Sequence, residues 1–172
     1  MTGMQTVDGY RIRPIEATDR DLLRALYAGL SPDARAARFH AATRGISEEA
    51  ASAFCGLDHR HREGFVAEAS EAAGSRLIGH LCLEPIGERA FEVAVVVADP
   101  WQGRGVGRAL LRAAMHWARA HGSIRLVGLV GPTNGPMLGL LRSSGAPLDL
   151  RSSGADDVEA TLELAPERRR AA

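Results

Sequence analysis

The chain has 172 residues, 45% apolar and 24% charged, with 21 basic side chains balancing 21 acidic ones. That length suits one ordinary domain with a real core and is short for two, and the composition is neither disordered nor fibrous. A net charge of +0 excludes a global field that would draw the protein to nucleic acid or an anionic membrane, so any anion site must be local.

Met1 to Arg13 lacks the apolar core of a secretory signal, and the longest apolar run, Val93 to Ala98, is far too short to span a bilayer. A cytoplasmic chain is expected, with a loose segment at 1–9, a single domain over 10–165 and a loose tail at 166–172. Tyr10 to Ile15 alternates as a short strand. Thr18-Asp19-Arg20-Asp21 then supplies capping residues ahead of the helical run Leu22, Leu23, Leu26 and Leu30. Ser31-Pro32-Asp33 offers an N-cap, a proline at the first helical position and an acid in the first turn, which predicts a second helix toward Ala42. Ser47-Glu48-Glu49 repeats that logic for a third helix to about Leu57.

Beyond the charged stretch Asp58 to Glu63 the pattern turns to strands over Phe65–Ala69, Leu77–Leu83 and Phe91–Ala98, a meander with glycine-containing turns. The last is almost continuously apolar, as befits a strand covered on both faces. Val106, Leu110, Ala113, Ala114 and Trp117 recur at helical spacing, and Gly122 stands where a C-terminal glycine cap belongs. Ile124 to Val130 reads as a buried strand, Asn134 to Ser143 as a short helix closed by Gly145, and Val158 to Leu164 as a final strand. Strands grouped early, followed by a strand-turn-helix-strand unit, define an α+β fold with a mixed sheet.

The chemistry concentrates in Gln102-Gly103-Arg104-Gly105-Val106-Gly107. Glycines at alternate positions between an apolar strand and an amphipathic helix leave backbone N–H groups uncovered, and a helix N-terminus adds partial positive charge, so a phosphate gains hydrogen bonds and dipole energy at one spot. A dinucleotide fingerprint fails on spacing, because position 108 is Arg rather than glycine and Val127 to Gly131 offers no acid for a ribose. A P-loop needs lysine, and this chain has none: all its basic side chains are Arg. Alanine and arginine richness also fits a bacterial genome of high GC content.

Glu92 through Leu111, with Gln102 opening the glycine run, resembles the signature of the GNAT superfamily of N-acetyltransferases. Asn134-Gly-Pro-Met137 is similar to that family's Asn-x-x-Ala/Met helix. The resemblance runs from about Tyr10 to Leu164. It implies a GNAT fold, with a central mixed, mostly antiparallel sheet of six to seven strands flanked by about four or five helices. It also implies acetyl-CoA as acyl donor, with its pyrophosphate on the main-chain amides of Gln102, Gly103, Arg104, Gly105, Val106, Gly107 and Arg108. Val95 and Val97 would pair in strand fashion with the pantetheine amides, and Asn134 and Met137 would line the far side.

An amine must be neutral to attack a thioester, and a lysine amine, with a reference pKa near 10.4, is mostly charged at neutral pH. Glu92 opens an otherwise apolar strand, where partial burial would make its carboxylate more basic and fit it to take the proton, directly or through water. Many GNAT enzymes carry a proton-donating tyrosine seven residues after the helix asparagine; here that position is Leu141. His59 and His61 could face the acceptor groove, although an exposed loop is the better reading. No histidine pair has ligand spacing for a metal. Cys55 and Cys82 read as small buried hydrophobes. The segment from Arg11 through Arg35 and the block Glu92 to Leu111 look most like the acetyltransferase domain of bacterial protein-lysine acetyltransferases, which makes a protein lysine the leading acceptor, with a small amine or amino acid as the alternative. A non-catalytic acyl-CoA sensor is a third reading. Monomer and homodimer both stay open.

Overall fold

Tyr10 starts a strand because large apolar and polar residues alternate there, and in a computed structural model that strand joins an eight-stranded sheet in the order β1-β2-β3-β4-β5-β6-β8-β7. The structure describes residues 6–7, 9–39, 44–72, 74–131, 134–154 and 157–164. The expected tail, 166–172, and the end of the second predicted helix near Ala42 lie outside them. The strands are β1 (Thr6–Val7), β2 (Tyr10–Pro14), β3 (Glu63–Glu71), β4 (Gly74–Pro85), β5 (Ala90–Val97), β6 (Arg125–Val130), β7 (Leu148–Ser152) and β8 (Val158–Glu163). The helices are α1 (Arg20–Ala28), α2 (Pro32–Phe39), α3 (Glu48–Cys55), α4 (Val106–Ala120) and α5 (Gly135–Arg142).

All neighbouring strands run antiparallel except β5 and β6, which are parallel and joined through α4. β1 lies ahead of the expected domain start at Tyr10 and pairs Thr6 with Arg11. β7 was not anticipated; its side chains are mostly exposed, so it lacks the apolar run that betrays a strand.

α4 packs across β2 to β5 on one face of the sheet, burying Val106, Leu110, Leu111, Ala114 and Ala118 against Phe65, Leu81 and Phe91. α1, α2 and α3 cover the other face, where Leu23, Leu26, Tyr27 and Cys55 meet Val66, Leu77 and Val96. Gly79 brings β4 against α4: a Cβ there would stand 2.9 Å from Leu110 Cδ1 and 3.2 Å from Val106 Cγ1. Two of the expected caps form, Ser31 Oγ accepting from Ala34 N at 3.2 Å and Ser47 Oγ from Ala50 N at 3.1 Å, whereas Asp19 makes no cap bond to α1 because its carboxylate is taken by Arg13 and by Glu16 N. A buried charge network locks the entry to α1. Arg13 donates to both oxygens of Asp19 at 2.7 Å and, through Nε, to Glu68 at 2.9 Å, while Arg11 reaches Glu68 at 2.7 Å.

Candidate active site

The site begins where two parallel strands part. β5 and β6 pair at Ala90–Arg125, Phe91–Leu126 and Glu92–Val127, and their recorded ladder ends there. Ala98 N donates to Ile78 O of β4 at 2.8 Å, so strand alternation turns the N–H and C=O groups of Val93, Val95 and Val97 toward the β6 side. Gly128 sits at the opening, where a Cβ would come within 3.2 Å of Val93 O. Beyond it the main chain of Val95 and Val97 faces a cleft of about 1100 Å³. Gln102 Nε2 donates to Val97 O at 3.1 Å, so one of these free acceptors is held by the glycine-rich turn itself.

That turn is built from glycines in the left-handed region, Gly103 at φ 71° and Gly105 at φ 84°, a conformation L side chains adopt at a cost. Gly105 is the N-cap of α4 and brings no side-chain cap, and the first turn of the helix carries no acid. The orphan N–H groups of that turn therefore remain available for an anion. Gly107 lets α4 approach α5, with its missing Cβ 3.3 Å from Leu140 Cδ2. The role expected of the turn falls to its main chain, and its side chains are engaged elsewhere. Gln102 N already donates to Asp99 O at 3.3 Å. The Arg104 guanidinium lies over the Trp101 ring at 5.3 Å. The side chain of Val106 is in the core at 1% exposure, leaving only its main chain.

The opposite wall comes from α5. Asn134 Oδ1 caps it by accepting from Met137 N at 3.1 Å, and both residues line the cleft with Gly105, Gly107 and Arg108. The roof is α2, whose small Ala34 and Ala37 face the opening. It is tied down by Asp99, which accepts from Ser31 Oγ at 2.6 Å and from Ser31 N at 3.0 Å; these bonds hold the Asp99 carboxyl below its ordinary range.

Glu92 lies on the cleft wall beside the point where β5 and β6 diverge. The expected partial burial is not found, since its side chain is exposed, a consequence of the cleft opening on this face of β5. Leu141 is buried at 1% exposure and offers no proton donor. His59 and His61 belong to a loop outside the cleft lining, bonded to Glu63 and Asp58 at 2.7 Å each. Cys55 and Cys82 are free and buried, and burial pushes the Cys55 thiol up to about 11. Among the described residues no group of three His, Cys, Asp or Glu gathers at metal-binding distance, and no helix is long and apolar enough to cross a membrane.

Sequence reading missed a second polar cluster behind the roof. Arg38 of α2 lines the cleft and donates to Cys82 Sγ at 3.2 Å; Tyr27 Oη meets Nδ1 of the fully buried His80 at 3.0 Å. Burial holds His80 down at about 3 and pushes Tyr27 up to about 12. The four residues come from three separate elements, so no local spacing exposes them.

A sheet opened along one parallel junction, with an uncapped helix at its mouth, defines a groove for an elongated ligand with an anionic end. The Acetyltransferase (GNAT) family model matches residues 20–146, and the chain belongs to that family. It is an N-acetyltransferase by class. An acetyltransferase of Pseudomonas aeruginosa is 29% identical over 130 residues, 73% of this chain and 68% of that protein. The GNAT domain of S. lividans PAT superposes with a TM-score of 0.81 at 29% identity, covering 90% of each chain. A phosphinothricin acetyltransferase of Sinorhizobium meliloti, solved with acetyl-CoA, shares the fold with a TM-score of 0.72 at 19% identity, covering 96% of this chain and 93% of the other.

Proposed function

We propose that the protein moves an acetyl group from acetyl-CoA to a primary amine by direct attack. The observation that carries this is the unpaired edge of β5 running into the uncapped start of α4. An elongated ligand with amides along its length and a diphosphate at one end satisfies both features at once. In this reading the amides of the Gly103–Arg108 turn hold the diphosphate, each charge-assisted hydrogen bond contributing roughly 1.5–3 kcal/mol. Val95 and Val97 take the ligand's amides as a neighbouring strand would, displacing Gln102 Nε2 from Val97 O. Asn134 and Met137 close the far side.

The thioester then lies near the divergence point, beside Glu92. The neutral amine attacks the carbonyl carbon, and a C–N bond forms. The nitrogen's proton passes to Glu92, directly or through water, and the C–S bond breaks. Coenzyme A leaves as a thiolate, which solvent protonates because Leu141 cannot. Glu92 contributes by placement, as a carboxylate within reach of the amine. A protein lysine is the leading acceptor from the sequence resemblance, and the chain, lacking lysine, offers no side-chain amine of its own.

Titration calorimetry with acetyl-CoA and with free coenzyme A, followed by thiol release against a panel of amines and lysine peptides, tests this. Binding with thiol release is expected. Absence of heat with folded protein overturns the ligand site; heat without thiol for any amine leaves the sensor reading in its place.

A further inference from the structure

Two opposite charges stand near each other at the divergence end of the cleft without meeting. The β4–β5 register places Glu92 directly across from Glu84, on the sheet face that α2 covers. Glu84 has its own cation, accepting from Arg62 Nε at 2.6 Å. Among the described residues Glu92 has no ion-pair partner, and neither has Arg38. Arg38 and Glu92 both line the cleft and form no ion pair with each other.

The surroundings of Arg38 hold its guanidinium in place without neutralising it. It donates to the neutral Cys82 thiol at 3.2 Å, the neutral Tyr27 phenol belongs to the same cluster, and Nε is buried with no partner. The rings of Phe39 and Phe54 flank it at 5.0 and 5.7 Å. Tyr27 is in turn fixed by His80. Five N–H donors in a rigid fork suit a carboxylate, and a thiol with a phenol uses few of them. A largely buried cation left without an anion is costly unless a ligand completes it.

We propose that Arg38 is an acceptor-recognition residue, and that the acceptor carries a carboxylate close to its reactive amine. This rests on the transfer reading above. The carboxylate occupies the guanidinium fork while the amine faces Glu92, so the separated cation and anion of the site complement a zwitterion. A second ammonium on the acceptor is repelled by Arg38. The bonds made and broken are unchanged: the amine nitrogen gains the acetyl carbon, its proton goes to Glu92, the thiolate departs, and the carboxylate takes no part beyond binding. Such a carboxylate comes either from a free α-amino acid or from an acidic residue flanking a lysine in a polypeptide.

Matched acceptor pairs under saturating acetyl-CoA test this by thiol release. One series sets free amino acids against their α-carboxamides; the other sets lysine peptides with Asp or Glu neighbours against the Asn or Gln counterparts. One series is expected to show a kcat/KM preference of about 10- to 100-fold for the carboxylate, carried mostly by KM, and which series shows it identifies the source. The ratio should collapse toward one in Arg38→Gln and Arg38→Met and be partly kept in Arg38→Lys. Acid and amide within twofold of each other in both series overturns the proposal, as does a preference that survives in folded Arg38→Gln. The wild-type pairs decide the matter by themselves if the variants do not fold. Turnover of amines without a carboxylate preference removes only this inference; absence of thiol with every amine removes the transfer reading beneath it.

Discussion

Glu92 sits at the last rung shared by β5 and β6, with its side chain in solvent and its neighbour Glu84 already paired to Arg62. Its value lies in position, and Glu92→Gln separates position from charge because the amide keeps the shape and loses the base. We expect acetyl-CoA affinity within about twofold of wild type and turnover at neutral pH lower by roughly 10²–10⁴. Part of that loss should return at high pH, where the amine deprotonates unaided. Steady-state rates against pH, with calorimetry on the same protein, check both; unchanged turnover removes Glu92 from the mechanism. Sequence alone pointed to this residue through its place at the head of an apolar run. It misjudged the burial because exposure depends on how far β6 diverges, and no property of positions 90–98 encodes that. Arg38, Tyr27, His80 and Cys82 were illegible for a related reason: each is unremarkable in its own segment, and only the packing of α1 and α2 over β4 and β5 unites them.

At the scale of elements, α4 is the piece that converts fold into site. Its apolar stripe was plain from Val106, Leu110, Ala114 and Trp117, and its glycine-rich entrance from the spacing of Gly103, Gly105 and Gly107. The contact that positions the helix was hidden, because it depends on a glycine in another element. Gly79 of β4 leaves just enough room for Leu110 and Val106. Gly79→Ala should therefore overpack the junction and lower stability by about 1–3 kcal/mol. Since the displaced end of α4 presents the main-chain donors, acetyl-CoA binding should weaken with it. Urea midpoints and calorimetry measure the two effects; a variant as stable as wild type with unchanged affinity shows that α4 does not depend on this contact. β7 escaped notice because its residues are polar and exposed, and it is a strand only because β8 offers it a ladder from Leu148 to Ser152.

For the whole molecule, pH dependence follows from two buried groups. His80 titrates at about 3 in the folded chain against an ordinary 6.5, so the unfolded chain takes up the proton first. The stability that neutral His80 contributes is complete above about 6.5 and is lost as pH falls toward 3. Glu68 is opposed by burial, yet hydrogen bonds from Arg13, Ser75 and Arg11 hold it down at about 2, so its contribution is complete above about 4.5 and fades below that. Unfolding free energy from urea titrations should accordingly fall by up to about 1.4 kcal/mol per pH unit just below 6.5 and more steeply below 4.5. His80→Phe should abolish the first limb and keep the second; a first limb that persists assigns it to other groups.

The parting of β5 from β6 has a mechanical meaning as well. The sheet consists of two plates, β1 to β5 and β6 to β8 with β7, stitched by a seam of three rungs. Whatever lies in the gap and bonds to the exposed edge lengthens that seam. Occupancy and stiffness are thus expected to rise together, because a ligand that pairs with β5 would extend the join between the plates.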